Sequence, residues 1–573
     1  MIKTKSFFYF LISYFLFFIS LSALPLFASA EFYTEERITY QLKPRGDVAV
    51  THEINLTNNF SNIYPQEYHL KIGKSDVQNI SAEDGAGEIA LQTTKEGEGM
   101  LIKLRFNEQS AGKGKILKFN LSYFLPQFAQ KRGQIWELEI PKLNNPESIE
   151  NLNLIVKAPL NFGNLAYASQ PPDEKTNEGS FQFLTYGKNK VAGRAISLAF
   201  GEFQIFDFIL RFSLENKSGQ RIVEKVPLPP DTAYQSVFFT DLNPLPLNIE
   251  TDEDGNWLAS IPLPAGETVN FFAKGQAKIF SKAENKQMLN VLRKKGDQFS
   301  YLGGDEFWET DNEVLKKIAV GKKTPEKVYN FVVENLQYDY GGLFKSERKG
   351  ALEAVKSGFG VCTEFADLFV TLCRMSGIPS RELEGFAFTN DQKIVLLSEK
   401  SDILHAWAEY WHEAKQVWVP VDPTWGETSG GTDFLHNLDL GHFVFVIHGR
   451  DSVEPLSPGF YQGPSSQKNV EVNFAEQLTV IEKPEINAKI IKRGKKYTLL
   501  FKNSGFSPIY DFPIVLKGWN GKETKEEIID FLPPLGEKEF DIKLPPFFQR
   551  IFKRAKFKIF MEDKTTEVIL FKN

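Results

Sequence analysis

Cysteine is almost absent from this sequence: its 573 residues hold two, Cys362 and Cys373. Both fall in one helical pattern eleven residues apart, about 16 Å at the rise of an α-helix, whereas a disulfide needs Cα atoms within about 7 Å. No disulfide framework supports the chain, and two thiols argue against a structural zinc site. An excess of positive charge is lacking too. Against 67 Lys and Arg stand 73 Asp and Glu, a net charge of −6, and removing residues 1–30, which carry only Lys3 and Lys5, makes it −8. That balance argues against a nucleic-acid partner. No short repeat of fixed period is visible, and after residue 30 no apolar run approaches the roughly 18 residues that a membrane span needs.

What is present points to a large folded chain. The composition is 42% hydrophobic and 24% charged with 51 Phe, which is that of packed protein rather than disorder. At about 100–200 residues per domain, the length predicts three to five domains. Residues 1–30 read as an export signal. Lys3 and Lys5 precede an uncharged stretch at 7–28 rich in Phe, Leu, Ile and Tyr, and Ala28-Ser29-Ala30 fits a small-x-small cleavage site. The same stretch is long enough for an uncut signal anchor, so membrane attachment through residues 7–28 stays open beside secretion. Either reading puts the body of the chain outside the cytoplasm.

From residue 36 apolar residues alternate. Ile38, Tyr40 and Leu42, a Lys43–Asp47 turn, then Val48, Val50, His52, Ile54 and Leu56 on one face predict a β-hairpin, with His52 a satisfied core residue. Further strands at 101–106, 117–123, 135–140, 152–156 and 195–200 make 31–205 an N-terminal β domain, and 206–282 reads as a second one. Within it, Asp252–Asn256 lacks the glycine and terminal acid of a calcium loop at the required spacing and reads as a hairpin turn. The period changes near residue 283. Helical patterns follow at 288–292 and 314–318, and Thr324-Pro325 supplies a cap and first-turn proline for a helix to 336. The mixed domain is predicted to span 283–453, followed by a Pro/Gly/Ser-rich linker at 454–479 and a C-terminal β-sandwich at 480–573.

The chemistry concentrates in the mixed domain. Gly358–Cys362 leads into Phe365, Leu368, Phe369, Leu372 and Met375, an amphipathic series ended by Gly377-Ile378-Pro379. Cys362 therefore starts a helix, where unpaired N–H groups and the positive end of the helix favour a thiolate and can face an oxyanion. Cys373, inside the helix, reads as core. A thiol nucleophile needs a base and an orienting partner. Residues 404–411 and 416–422 read as two strands joined by the loop 412–415. With 411 opposite 416, His405 falls opposite Asp422, within imidazole-to-carboxylate reach.

Gly-Val-Cys-x-x-Phe-Ala at 360–366, Gly-Ile-Pro-x-Arg at 377–381, His-Ala-Trp-x-Glu at 405–409 and Asp-Pro-Thr-Trp at 422–425 together resemble the transglutaminase-like superfamily of papain-related cysteine enzymes. The resemblance covers roughly 285–450 and implies an α+β core, in a multidomain chain flanked by all-β sandwich-type domains. It implies Cys362 as nucleophile, His405 as general base and acid, and Asp422 as the orienting carboxylate, acting on amide bonds of a protein or peptide substrate without cofactor or metal. Tyr338 is an oxyanion candidate by the same resemblance, although Tyr338 and Tyr340 also suit core packing. Trp407 and Trp425 read as pocket walls, Arg381 as structural, Glu409 and Glu413 as solvated or structural, and His442 as packed rather than cleft-lining. The rival expectation is an exported scaffold or adhesin that uses this domain as a binding platform.

Overall fold

The computed structural model describes residues 31–569, apart from 74–75, 98, 144–145, 193–194, 296–297, 343–346, 389–403, 430–432, 437, 462, 464–467, 480–483, 494–495, 518–522, 543–555 and 562–563. The expected signal segment 1–30 lies outside the described residues, and among those residues no helix is long and apolar enough to cross a membrane.

The first hairpin forms where the alternation predicts it. Phe32–Leu42 pairs antiparallel with Val48–Asn58, Ile38 opposite His52 and Tyr40 opposite Val50. Alternate residues of the second strand are buried, as a strand with one face on a core requires. Gly46 adopts φ +86 in the turn, where Lys43 N–H donates to the Asp47 carbonyl at 2.8 Å. His52 is buried between Glu36 at 2.6 Å and the Tyr123 hydroxyl at 3.1 Å, so its ring is fully partnered. These strands belong to an eight-stranded sheet, and smaller three- and four-stranded sheets complete the N-terminal β region.

In the second β region Gln204–Glu215, Gln235–Asn243 and Thr268–Ile279 form one sheet and Ile222–Leu228, Ile249–Thr251 and Trp257–Leu263 another. The two share a core of Phe206, Phe208, Phe212, Trp257 and Phe271. Inside the stretch expected as a linker, Val470–Phe474 is a strand that pairs with Gln204–Glu215, Phe474 opposite Phe206. Part of the 454–479 segment is therefore built into the second β region. Val470, Val472 and Phe474 carry the period-two signal, which the Pro, Gly and Ser just upstream outweigh in composition.

The mixed region places four helices, Glu313–Ala319, Pro325–Asn335, Gly350–Ser357 and Cys362–Met375, against an antiparallel sheet. Its strand order is Val417–Val421, His405–His412, Ser380–Ala387, His442–His448. The Thr324 hydroxyl caps the second helix by accepting from Lys327 N–H. The helix Cys362–Met375 departs from the amphipathic expectation, because residues 364–374 are buried all round. Phe365, Leu368, Phe369 and Leu372 fill the core, each contributing about 1.5–3 kcal/mol relative to exposure. The polar members find partners instead of water. The Asp367 carboxylate accepts from Trp308 Nε1 at 3.0 Å and from Arg348 Nε at 3.0 Å and Nη2 at 2.5 Å. Arg348 Nη2 also reaches Glu382 Oε2 at 2.5 Å on the strand Ser380–Ala387.

The C-terminal region is a pair of sheets, one of Ile486–Arg493, Lys496–Asn503 and Glu537–Ile542, the other of Ile509–Lys517, Glu523–Leu532, Lys556–Met561 and Lys564–Ile569. The Tyr510 hydroxyl joins it to the second β region by donating to Asp231 Oδ2 at 2.5 Å.

Arg348 clamps the helix Cys362–Met375 to the sheet through two buried carboxylates, so removing it leaves both uncompensated. Arg348→Met is expected to destabilise the mixed domain by about 3–5 kcal/mol, read as a lowered unfolding midpoint, and Arg348→Lys by less. A midpoint unchanged in Arg348→Met would show that the clamp contributes nothing.

Candidate active site

Gly358 closes the preceding helix in the left-handed region, φ +72. The chain then runs through Phe359-Gly360 into Cys362, the first residue of its helix. Glu364 fixes this entry. Its Oε2 accepts from Val361 N–H at 2.8 Å and its Oε1 from Lys349 N–H at 2.9 Å. Gly360 allows that approach, since a Cβ there would lie 2.5 Å from Glu364 Cβ. Cys362 is partly accessible whereas Cys373 is buried, and burial pushes the Cys373 thiol well above its ordinary pKa.

The hairpin carrying the other two groups forms in a register different from the expected one. Trp411 pairs with Trp418 and His412 with Val417, so the loop is 413–416, with Gln416 at φ +51. The two-residue shift makes His405 and Asp422 diagonal rather than direct neighbours. They still share a face, because a shift of two preserves the side-chain period. Asp422 follows the end of its strand and caps the helix Pro423–Thr428, its Oδ1 accepting from Trp425 N–H at 2.9 Å. Its Oδ2 accepts from His405 Nε2 at 2.8 Å. The Cys362 thiol lies near enough to the His405 ring to help raise its pKa, and with Nε2 engaged by Asp422 the ring's remaining nitrogen is Nδ1.

His442, read from the sequence as a packed histidine, belongs to this constellation. Its Nε2 donates to the same Asp422 Oδ2 at 3.1 Å, and its Nδ1 to Asp439 Oδ1 at 2.8 Å. A ring whose two nitrogens both face carboxylates must carry two protons to satisfy both, so it is an imidazolium. Burial disfavours that charge, but Asp439 and Asp422 outweigh it and raise His442 to about 9. His405 is likewise raised to about 9, burial being overcome by Asp422 and then by the thiol. Asp422 is fully buried; burial pushes its carboxyl up, while the two imidazoles hold it well below the carboxylate range. No local motif could have revealed His442, because its strand reaches Asp422 only through the sheet order. His405, Asp422 and His442 bring metal-ligating atoms within 4.8 Å of one another, and in the arrangement present both Nε2 protons are engaged by one carboxylate oxygen.

Aromatic rings enclose the imidazoles. The Trp407 and Trp425 planes lie near-parallel to that of His405, at 19° and 25°, with centroids 5.8 and 5.3 Å away, and Trp425 lies 4.5 Å from His442. Both tryptophans pack beside the imidazoles. The Tyr338 ring is 4.9 Å from Tyr340 and 6.4 Å from Phe365 on the nucleophile helix. The Tyr329 hydroxyl donates to the Asp422 carbonyl at 3.3 Å and accepts from Phe434 N–H at 3.2 Å. Gly426 lets this ring approach, a Cβ there falling 2.2 Å from the hydroxyl. The N-terminal β region contributes Ile135, Tyr167 and Ala199, which pack on Leu440 beside Asp439. Arg381 and Glu409 form a buried ion pair at 2.5 Å, so Glu409 is structural and not solvated.

The model of the transglutaminase-like superfamily matches residues 310–423. No curated protein matches the chain. Among solved structures, the chain is similar to a Cytophaga hutchinsonii protein provisionally described as a cysteine protease, at 17% identity over 48% of this chain and 98% of that one, with a TM-score of 0.31. It is also similar to the periplasmic domain of TgpA from Pseudomonas aeruginosa bound to ethylmercury, at 14% identity over 39% and 90%, with a TM-score of 0.22.

The His442 charge offsets part of the Asp422 charge felt by His405. Replacing it by the neutral Gln in His442→Gln is expected to raise the His405 titration midpoint, near 9 in the unaltered protein, by about half a unit to one unit. Imidazole NMR across pH measures this. A midpoint that falls or stays put would contradict a charged His442.

Proposed function

Residues 310–423 form a domain of the transglutaminase-like superfamily, and on that premise we propose that this chain is an exported cysteine enzyme acting on amide bonds of proteins or peptides. The observation that carries the reading is the arrangement around His405, whose Nε2 is held by Asp422 at 2.8 Å and whose pKa the nearby Cys362 thiol helps to raise. A binding platform has no use for such a proton path.

The reaction follows from these atoms. With the Cys362 proton on His405, the thiolate attacks the substrate carbonyl carbon and a carbon–sulfur bond forms. The carbonyl oxygen takes the negative charge, facing the N–H groups at the start of the helix Cys362–Met375. His405 passes its proton to the leaving nitrogen as the carbon–nitrogen bond breaks, leaving an acyl-thioester and a free amine. An incoming amine or water then gives a proton back to His405, attacks the thioester and releases the thiolate. An amine acceptor yields a new amide, a crosslink when it belongs to a lysine, and water yields hydrolysis. Asp422 holds the imidazole in the tautomer and orientation that serve both steps. Export rests on residues 1–30, whose charge and apolar pattern match a secretory signal or anchor.

With a glutamine-containing peptide and a primary amine as substrates, Cys362→Ala is expected to abolish ammonia release. Asp422→Asn should lower kcat by about a thousandfold or more. Retained activity in Cys362→Ala would overturn the reading. In the unaltered protein kcat/KM should fall as pH rises through about 9, because a raised imidazolium pKa means the proton is held below that pH and lost above it. A flat profile through that range would contradict His405 as the acid.

A further inference from the structure

Behind the catalytic sheet lies a cavity of about 280 Å³, walled by the second β region, the helix Lys286–Lys295, the back of the sheet and the C-terminal region. Protein interiors rarely keep voids larger than a water molecule, because the lining loses its contacts without gaining a partner. A space of this size between three regions is where small-molecule sites are found. Its walls are specific in character. Tyr234, Tyr301, Trp411, Trp418 and Phe531 supply aromatic surface. Four carboxyl groups, Asp231, Asp252, Asp254 and Glu409, line it against one guanidinium, Arg381.

That guanidinium is already engaged. Arg381 Nε donates to Glu409 Oε1 at 2.5 Å, its Nη1 donates to the Asp254 carbonyl at 2.9 Å, and the group lies 4.1 Å from the Trp418 ring centroid. It is one cation beside four lining acids, with Arg374 also acting on Asp254. Burial holds Asp231 up at about 6 and Glu409 above its ordinary value, against the pull of their partners. Asp254 is more than nine-tenths buried, and its Oδ2 accepts from the Gly449 and Arg450 N–H groups at 2.9 and 3.0 Å. A carboxylate-rich, aromatic-walled space is complementary to a cation carrying an apolar body.

A smaller space links the cavity to the neighbours of the catalytic groups. A second space of about 30 Å³ shares Thr232, Tyr234 and Glu409 with it and continues to Trp407, Asp439 and His442. Glu409, Trp407 and His405 alternate along one strand and so share its face. The Trp407 ring stacks on His405, and its buried Nε1 has no hydrogen-bond partner. We propose that the larger cavity binds a small organic cation, an ammonium group on an aromatic or branched aliphatic body, and that its occupancy is relayed to His405 along the Glu409–Trp407 face. The binding claim is independent of the reaction assigned above.

Phenethylammonium is the probe, with phenethyl alcohol and phenylacetate of similar shape as the neutral and anionic controls. Titration calorimetry on full-length Cys362→Ala protein, which cannot consume an amine, measures binding. Phenethylammonium is expected to bind saturably, about tenfold or more tighter than the alcohol, with phenylacetate weakest. Val291→Trp, which fills the space from the helix Lys286–Lys295, and Asp254→Asn, which removes charge at constant shape, should each weaken it by about tenfold. Absence of binding, equal affinity for the three probes, or affinity unchanged in both variants would overturn the site. In protein retaining Cys362, saturating phenethylammonium should change the rate of Cys362 alkylation by iodoacetamide, and the change should vanish in Val291→Trp. Binding with an unaltered rate would overturn the relay, and a change that persists in Val291→Trp would place the effect elsewhere.

Discussion

One oxygen atom organises the catalytic half of this molecule. Asp422 Oδ2 accepts a hydrogen bond from each of two imidazoles in a place that water does not reach. A carboxylate so buried is costly unless its charge is met at close range, and here His405 and His442 meet it together. Much nearby structure serves to keep them there. The Pro423–Thr428 helix engages the other carboxylate oxygen, Tyr329 holds the Asp422 carbonyl, and Asp439 fixes the far side of His442. The N-terminal β region reaches this arrangement through its contact with Leu440, which gives that region a mechanical part in the site without touching the reacting atoms.

Cys362 is positioned by a separate device that converges on the same point. The helix Cys362–Met375 is buried on every side, so its place is set by packing along its whole length. Its polar residues bind it to its surroundings: Glu364 to the incoming chain, Asp367 to Arg348 and Trp308, and Arg374 to the carbonyls of Ser380 and Gly449. The thiol at its head is therefore carried by a rigid element and the imidazole by a strand of the sheet it packs against. Pre-organisation of this kind is what acyl transfer requires, since small errors in distance between nucleophile and base are costly in rate.

Some of this was legible in the sequence and some was not, for identifiable reasons. Strict alternation at 38–56 and the capped, apolar-periodic pattern at 324–336 each left one reading, and both elements form there. Cys362, His405 and Asp422 were legible because three short patterns carry them, and the structure brings them together. The register of the 405–422 hairpin was not, because His412 suits a loop as well as a strand and nothing marks Gln416 as the residue taking a positive φ. The error kept Asp422 on the correct face, since it amounts to two residues. His442 was unreadable as a site residue, its partners Asp422 and Asp439 being assembled by sheet order and not by spacing. The pairings Arg348–Asp367 and Arg381–Glu409 have no signal in the sequence, because only the fold brings their partners together and buries them.

The account turns on one of the two thiols being reactive because an imidazole shares its proton. Alkylation by iodoacetamide near pH 6, followed by mass mapping of both cysteines, addresses this directly. The account predicts stoichiometric modification at Cys362 while Cys373 stays untouched, and loss of that selectivity in His405→Ala. Slow and equal labelling of both cysteines, or rapid labelling of Cys362 that survives in His405→Ala, would contradict it.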